Sequence, residues 1–156
     1  MSNDIWEISG RTFSATLLHY GLEGTGAVIQ SAKAPASGGA PIVYIIDDDR
    51  DVRDSIGFML KTDGISSRTF ASGVEFMAAR ETLEPGCLLL DVRMPRMSGL
   101  DVLAALNEQG CAWPVVVMTG HGEGDLGTRA IKLGARDFIE KPFDADLLLH
   151  CLRRAA

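Results

Sequence analysis

The residues of this chain that can do chemistry near neutral pH sit just after short apolar runs. Ile42-Val43-Tyr44-Ile45-Ile46 leads into Asp47, Asp48 and Asp49. Cys87 to Leu90 leads into Asp91, Val115 to Met118 leads into Thr119, and Phe138-Ile139 lies just ahead of Lys141-Pro142. Three or four carboxylates gathered in one place repel one another. Raised pKa values or a bound hard cation relieve that repulsion. Mg2+ suits such a place: it prefers near-octahedral oxygen ligation, keeps several waters, and is often held by one or two carboxylates plus a phosphate oxygen. An acidic cluster beside one lysine and one threonine hydroxyl has the make-up of a phosphoryl-transfer site. There the metal neutralises charge, the lysine holds an equatorial oxygen and an in-line nucleophile attacks.

These residues meet only if the apolar runs are neighbouring strands pointing the same way. The pattern between the runs supports that. Val52 to Thr62 carries apolar residues at Val52, Ile56, Met59 and Leu60, a helical stripe broken by Asp63-Gly64. Ser66 to Phe70 is short, polar and β-prone, in the manner of an edge strand. Ser72 opens a helix to about Ala79, with Glu75 as capping-box partner. Ser98 caps a helix with Leu100, Leu103 and Leu106 that ends at Gly110. Gly124 to Leu133 reads as a weaker helix closed by Gly134, and Asp144 caps a last helix to about Arg154. Strands alternating with helices imply βαβ crossovers and a parallel sheet, and runs apolar on both faces imply helices covering both sides. The expected fold is α/β, a doubly wound five-stranded parallel sheet. In such a sheet ligands bind beyond the carboxyl ends of the strands, where Asp47, Asp48, Asp91, Thr119 and Lys141 fall.

Four segments together carry a family likeness. Val43 to Asp49, Leu90-Asp91-Val92-Arg93-Met94-Pro95-Arg96-Met97-Ser98-Gly99, Met118-Thr119-Gly120-His121-Gly122 and Asp137-Phe138-Ile139-Glu140-Lys141-Pro142-Phe143 resemble the receiver domain of two-component response regulators, and most of all the FixJ-type branch. The resemblance runs from residue 42 to about 154. It implies strand order 2-1-3-4-5, and it implies roles. Asp91 would be the phosphoacceptor, attacking the phosphohistidine of a sensor histidine kinase. Asp48 would ligate Mg2+, with Asp47 as a second or water-mediated ligand, joined by Asp91 and the backbone carbonyl of Arg93. Lys141 and Thr119 would bind the phosphoryl group. Thr119 and Phe138 would act as the switch pair, and the Lys141–Pro142 bond would be cis. Output would pass through the fourth helix, fifth strand and fifth helix, as a homodimer or a docked partner. FixJ-type proteins usually carry a helix-turn-helix domain after the receiver. This chain stops at Ala156, so a stand-alone receiver and a receiver parted from its output domain are both open.

Plainer and rival readings exist. An Asp after a strand often only caps a helix or forms a turn, but turn formation does not demand that Asp47, Asp48, Asp91 and Lys141 converge. Asp49 reads as a solvated side chain, and Phe138 reads equally well as a core aromatic. His121, two residues past Thr119, could affect how fast water removes a phosphoryl group; His19 and His150 show no ligand spacing. A haloacid-dehalogenase-like phosphatase needs an acid two residues after its nucleophile, where this chain has Arg93. A flavodoxin-like carrier needs hydroxyls and N–H groups in its first loop, where this chain has Asp47-Asp48-Asp49. A receiver that docks without phosphorylation is disfavoured because every required side-chain type is present.

The whole sequence fits this picture. It has 156 residues, 15 Lys+Arg against 21 Asp+Glu and a formal net charge of −6, which disfavours general nucleic-acid binding by this fragment. No apolar run approaches the ~20 residues of a membrane span. Three cysteines, Cys87, Cys111 and Cys151, form no CxxC pair and read as reduced thiols in a cytoplasmic protein. Residues 30 to 41 are rich in Ala, Ser, Gly and Pro and make a linker. Residues 1–41 therefore read as a loosely ordered extension, with a short hairpin conceivable from Ile5 to Leu17, and residues 42–156 as the receiver domain. Deleting residues 1–38 is expected to leave the melting temperature essentially unchanged in calorimetry; a large drop would make the extension part of the folded unit.

Overall fold

The computed structural model describes the backbone of residues 5–8 and 11–14 and the whole of residues 42–156. Strand Ile5–Ile8 (β1) pairs antiparallel with Arg11–Ser14 (β2), Ile5 opposite Ser14. The expectation of loose order for the rest of residues 1–41 lies outside the described residues.

From residue 42 the chain alternates strand and helix: β3 (Ile42–Ile46), α1 (Arg50–Thr62), β4 (Ser67–Phe70), α2 (Gly73–Ala79), β5 (Gly86–Asp91), α3 (Gly99–Glu108), β6 (Val115–Thr119), α4 (Gly124–Lys132), β7 (Asp137–Glu140) and α5 (Ala145–Ala155). The five strands are parallel in the order β4-β3-β5-β6-β7, which is 2-1-3-4-5 counted within this sheet. Successive strand residues feed opposite faces. Val43, Ile45, Leu89, Val116 and Met118 join a core with Ile56 and Leu60 of α1 and Leu148 and Leu152 of α5. Tyr44, Ile46, Leu88, Leu90 and Val117 join a second core with Phe76 of α2, Val102, Leu103 and Leu106 of α3 and Ala130 of α4. Each fully buried Ile, Leu or Val contributes roughly 1.5–3 kcal/mol. Two filled faces therefore hold the strands in register.

Local chemistry starts the helices. Asp49 caps α1, its carboxylate accepting from the N–H groups of Asp51 (2.9 Å) and Val52 (3.5 Å). Sequence reading left Asp49 as a merely solvated side chain; it is exposed, and it is also the cap, a role worth about 1 kcal/mol. Ser72 caps α2 through the Glu75 N–H at 3.0 Å, but the Glu75 carboxylate reaches back to the Ala71 N–H rather than closing the reciprocal box on Ser72. The reciprocal box forms instead at α3, between Ser98 and Asp101. Asp144 caps α5 through the Leu147 N–H at 2.8 Å.

Helix α4 is the exception. Glu123 holds the cap position without a side-chain capping bond, Gly124 opens the helix and Gly127 lies inside it. A glycine in a helix costs roughly 1 kcal/mol relative to alanine, so α4 should open more readily than its neighbours. Hydrogen exchange on the unmodified protein is expected to protect the α4 amides less than those of Ile42 to Ile46; equal protection would contradict this reading of the glycines.

Candidate functional site

Register brings the chemistry together. Ile46 pairs with Phe70 on one side and Leu90 on the other, Asp91 with Met118, and Thr119 with Glu140. Asp47, Asp91, Thr119 and Lys141 therefore end neighbouring strands at one sheet edge. The Lys141 N–H donates to the Thr119 carbonyl at 2.8 Å and continues that register. The Lys141–Pro142 peptide bond is cis. Oxygens of Asp47, Asp48 and Asp91 all lie within 4.8 Å of one another. The Lys141 ammonium sits among them, 2.5 Å from Asp47 Oδ2 and 3.2 Å from Asp91 Oδ1.

The three acids differ in surroundings. Asp47 is buried and fully engaged: Oδ1 accepts from the Asp49 N–H at 2.9 Å, Oδ2 from Lys141, and the main-chain carbonyl from Arg53 at 2.7 Å. Asp48 is exposed at the rim. Asp91 is 6% exposed, and burial pushes its carboxyl up from 3.8 to about 6, reinforced by Asp47 and Asp48 and opposed by Lys141. Burial pulls the Lys141 ammonium down, but its bonds and proximity to Asp47 and Asp91 outweigh that and hold its pKa above the ordinary lysine value. The pocket thus holds surplus negative charge that one lysine only partly balances. Its all-oxygen donor set fits a small hard divalent cation, which would be held by Asp47, Asp48 and Asp91 and would supply the missing positive charge.

Close backbone packing shapes the floor. A Cβ on Gly99 would fall 2.2 Å from the Asp91 carbonyl oxygen, so only glycine lets α3 start against the end of β5. The Gly99 N–H donates to the Val92 carbonyl at 2.8 Å and pins the intervening loop. Thr119 is fully buried, and its Oγ1 has no hydrogen-bond partner. A buried hydroxyl without a partner is costly and calls for an explanation.

Above Thr119 the β6–α4 loop closes the mouth. The Glu123 carboxylate accepts from the Gly120 N–H at 3.0 Å and pairs with Arg93. Those bonds, the Gly120 N–H foremost and then Arg93, hold its carboxyl below the usual glutamate range. His121 contacts Glu140 through Nδ1 at 2.7 Å and its side chain is 91% exposed, turned to solvent. Phe138 is half-buried, and a Cβ on Gly127 would fall 2.5 Å from its ring, so the ring rests directly on the α4 backbone. Sequence reading missed Glu123, Arg53 and the Gly127 seat. Each depends on a partner 6 to 30 residues away whose nearness no local pattern announces. Gly99, in the quoted Ser98-Gly99 pair, was visible but had no stated reason.

A model of the response regulator receiver domain matches residues 43–153. The chain belongs to the response regulator receiver family. The transcriptional regulatory protein FixJ of Azorhizobium caulinodans is 45% identical to this receiver over 111 residues, 71% of this chain and 53% of the relative. FixJ of Bradyrhizobium diazoefficiens is 41% identical over 113 residues, 72% of this chain and 55% of the relative. Among solved structures, the crystal structure of FixJ-N superposes with a TM-score of 0.72 at 38% identity, covering 75% of this chain and 94% of that one. Full-length FixJ from B. japonicum gives 0.71 at 40% identity, covering 74% of this chain and 57% of that one. The receiver thus spans about half the length of the curated relatives it matches.

The raised Asp91 carboxyl has a stability consequence. Because its folded pKa lies above the unfolded value, its contribution is fully present below about pH 3.8 and is lost as pH rises through about 6. Without metal, Asp91→Asn should therefore be more stable than the parent at pH 7, by about 2–3 kcal/mol at most. The gap should shrink toward pH 4.5. Urea melts of both proteins at the two pH values check this, and an Asn variant less stable at pH 7 would contradict it.

Proposed function

We propose that this receiver takes a phosphoryl group from a sensor histidine kinase onto Asp91 and uses it to switch conformation. The observation that carries the proposal is the convergence of Lys141 on both Asp47 and Asp91, next to the unpartnered hydroxyl of Thr119. An Asp91 carboxylate oxygen attacks the phosphorus of a phosphohistidine. The O–P bond forms, the donor's P–N bond breaks, and the donor imidazole, already protonated on its other ring nitrogen, leaves neutral with the electron pair of the broken bond. Mg2+, held by Asp48, Asp47, Asp91 and the Arg93 carbonyl, would neutralise the charge that builds on the phosphoryl oxygens. Lys141 exchanges its contact with Asp91 for a phosphoryl oxygen, and the Thr119 hydroxyl gains its missing partner by donating to another. Water then removes the group, so the domain catalyses its own phosphorylation and dephosphorylation and no other reaction.

Two features support a conformational readout. Thr119 must shift to reach the phosphoryl, and Phe138, seated against Gly127 beside it, moves into the space Thr119 leaves. The surface of α4, β7 and α5 would then present the change to a second copy or to an output domain. Such regulators work in the cytoplasm; among the described residues no helix is long and apolar enough to cross a membrane. The net charge of −6 argues against DNA contact by the receiver itself.

Incubation with acetyl phosphate and Mg2+, followed by intact mass and sizing, tests the reading. The protein is expected to gain one phosphoryl group, Asp91→Asn none, and Asp48→Ala far less because metal binding weakens. Equal labelling of Asp91→Asn would move the acceptor elsewhere, and multiple turnover of a generic phosphate ester would favour a phosphatase.

A further inference from the structure

The start of α4 is held in an unusual way. Its cap residue, Glu123, makes no side-chain capping bond; its carboxylate turns back to the Gly120 N–H and to Arg93. Arg93 belongs to a different loop, the one from β5 to α3, and lies two residues past Asp91. That loop is itself fixed, through the Gly99 N–H bond to the Val92 carbonyl. The Arg93–Glu123 pair therefore ties the acceptor's own loop to the first turn of a helix that otherwise begins uncapped. The Arg93 side chain is 71% exposed and that of Glu123 20%, so one partner is free to move and the other is largely fixed.

A phosphoryl group on Asp91 brings −1.5 to −2 charges to within two residues of Arg93. A guanidinium pairs better with phosphate, through its fork of donors, than with a single carboxylate in an exposed pair. Glu123 then keeps only its Gly120 bond. We propose that the Arg93–Glu123 pair is a latch that holds the start of α4 in the unmodified receiver, and that a phosphoryl group on Asp91 opens it by drawing Arg93 away. The opening half rests on the reading of Asp91 as the acceptor; the holding half does not.

Hydrogen exchange by mass spectrometry on the full chain separates the two. In the unmodified protein, Glu123→Gln and Arg93→Gln should each speed exchange across residues 124–130 about two- to fivefold, the range an exposed ion pair is worth. The charge-swapped double variant Arg93→Glu/Glu123→Arg should restore slow exchange. After acetyl phosphate and Mg2+, the parent should show the same rise and Glu123→Gln no further one. Unchanged exchange in both single variants, or a swap as fast as the singles, would overturn the latch. A parent that gains one phosphoryl mass yet keeps α4 protected would overturn its opening. A parent that gains no phosphoryl mass would refute Asp91 as acceptor, while the unmodified variants still decide whether the latch exists.

Discussion

One cation among three anions organises this molecule. Lys141 spans Asp47 and Asp91 from the far end of the sheet, linking the first, third and fifth parallel strands through a single ammonium. Two carboxylates within 4.8 Å repel by roughly 3–4 kcal/mol at an effective dielectric of 20. The fold tolerates this because two apolar cores hold the strand ends rigidly in place. Burial is the main reason the Asp91 carboxyl is raised, and this repulsion adds to it. A site that stores repulsion in this way offers an all-oxygen donor set that suits a divalent cation, with negative charge that Lys141 only partly neutralises.

The same rigidity is uneven. Helices α1, α2, α3 and α5 each begin on a side-chain cap, whereas α4 begins on none and contains Gly124 and Gly127. Three of the parts proposed to respond to phosphorylation touch that helix or the loop before it: Thr119, Arg93 through its pair with Glu123, and Phe138 resting on Gly127. Packing and capping thus separate a firmly started part, which positions the carboxylates, from the less firmly started α4 beside them. With no side-chain cap, α4 should yield to a perturbation the size of one ion pair more readily than a helix as firmly started as α1.

Much of this was legible in the chain. Apolar runs of strand length, each followed by an acid, a hydroxyl or a lysine, announced a parallel sheet and named Asp47, Asp48, Asp91, Thr119 and Lys141. Strand order was not in the periodicity; it came with the resemblance and agrees with β4-β3-β5-β6-β7. Capping was read in part. Ser72, Ser98 and Asp144 do cap their helices, but Asp49 went unnoticed because three consecutive aspartates offer one cap position several candidates. Only backbone direction decides that Asp47 turns inward, Asp48 to the rim and Asp49 onto α1.

Sequence by itself determined the inventory: which chemical groups exist, that they follow strands, and that strand runs apolar on both faces would bury the sheet between helices. These are consequences of side-chain type and spacing, which are local. Tertiary structure alone decided the partnerships. Lys141 meets Asp47 across 94 positions of chain, Arg93 meets Glu123 across 30, and the Phe138 ring finds Gly127 only because α4 lies over β7. Such contacts depend on strand order and register, set by the packing of the whole core, and no local pattern of residues encodes them.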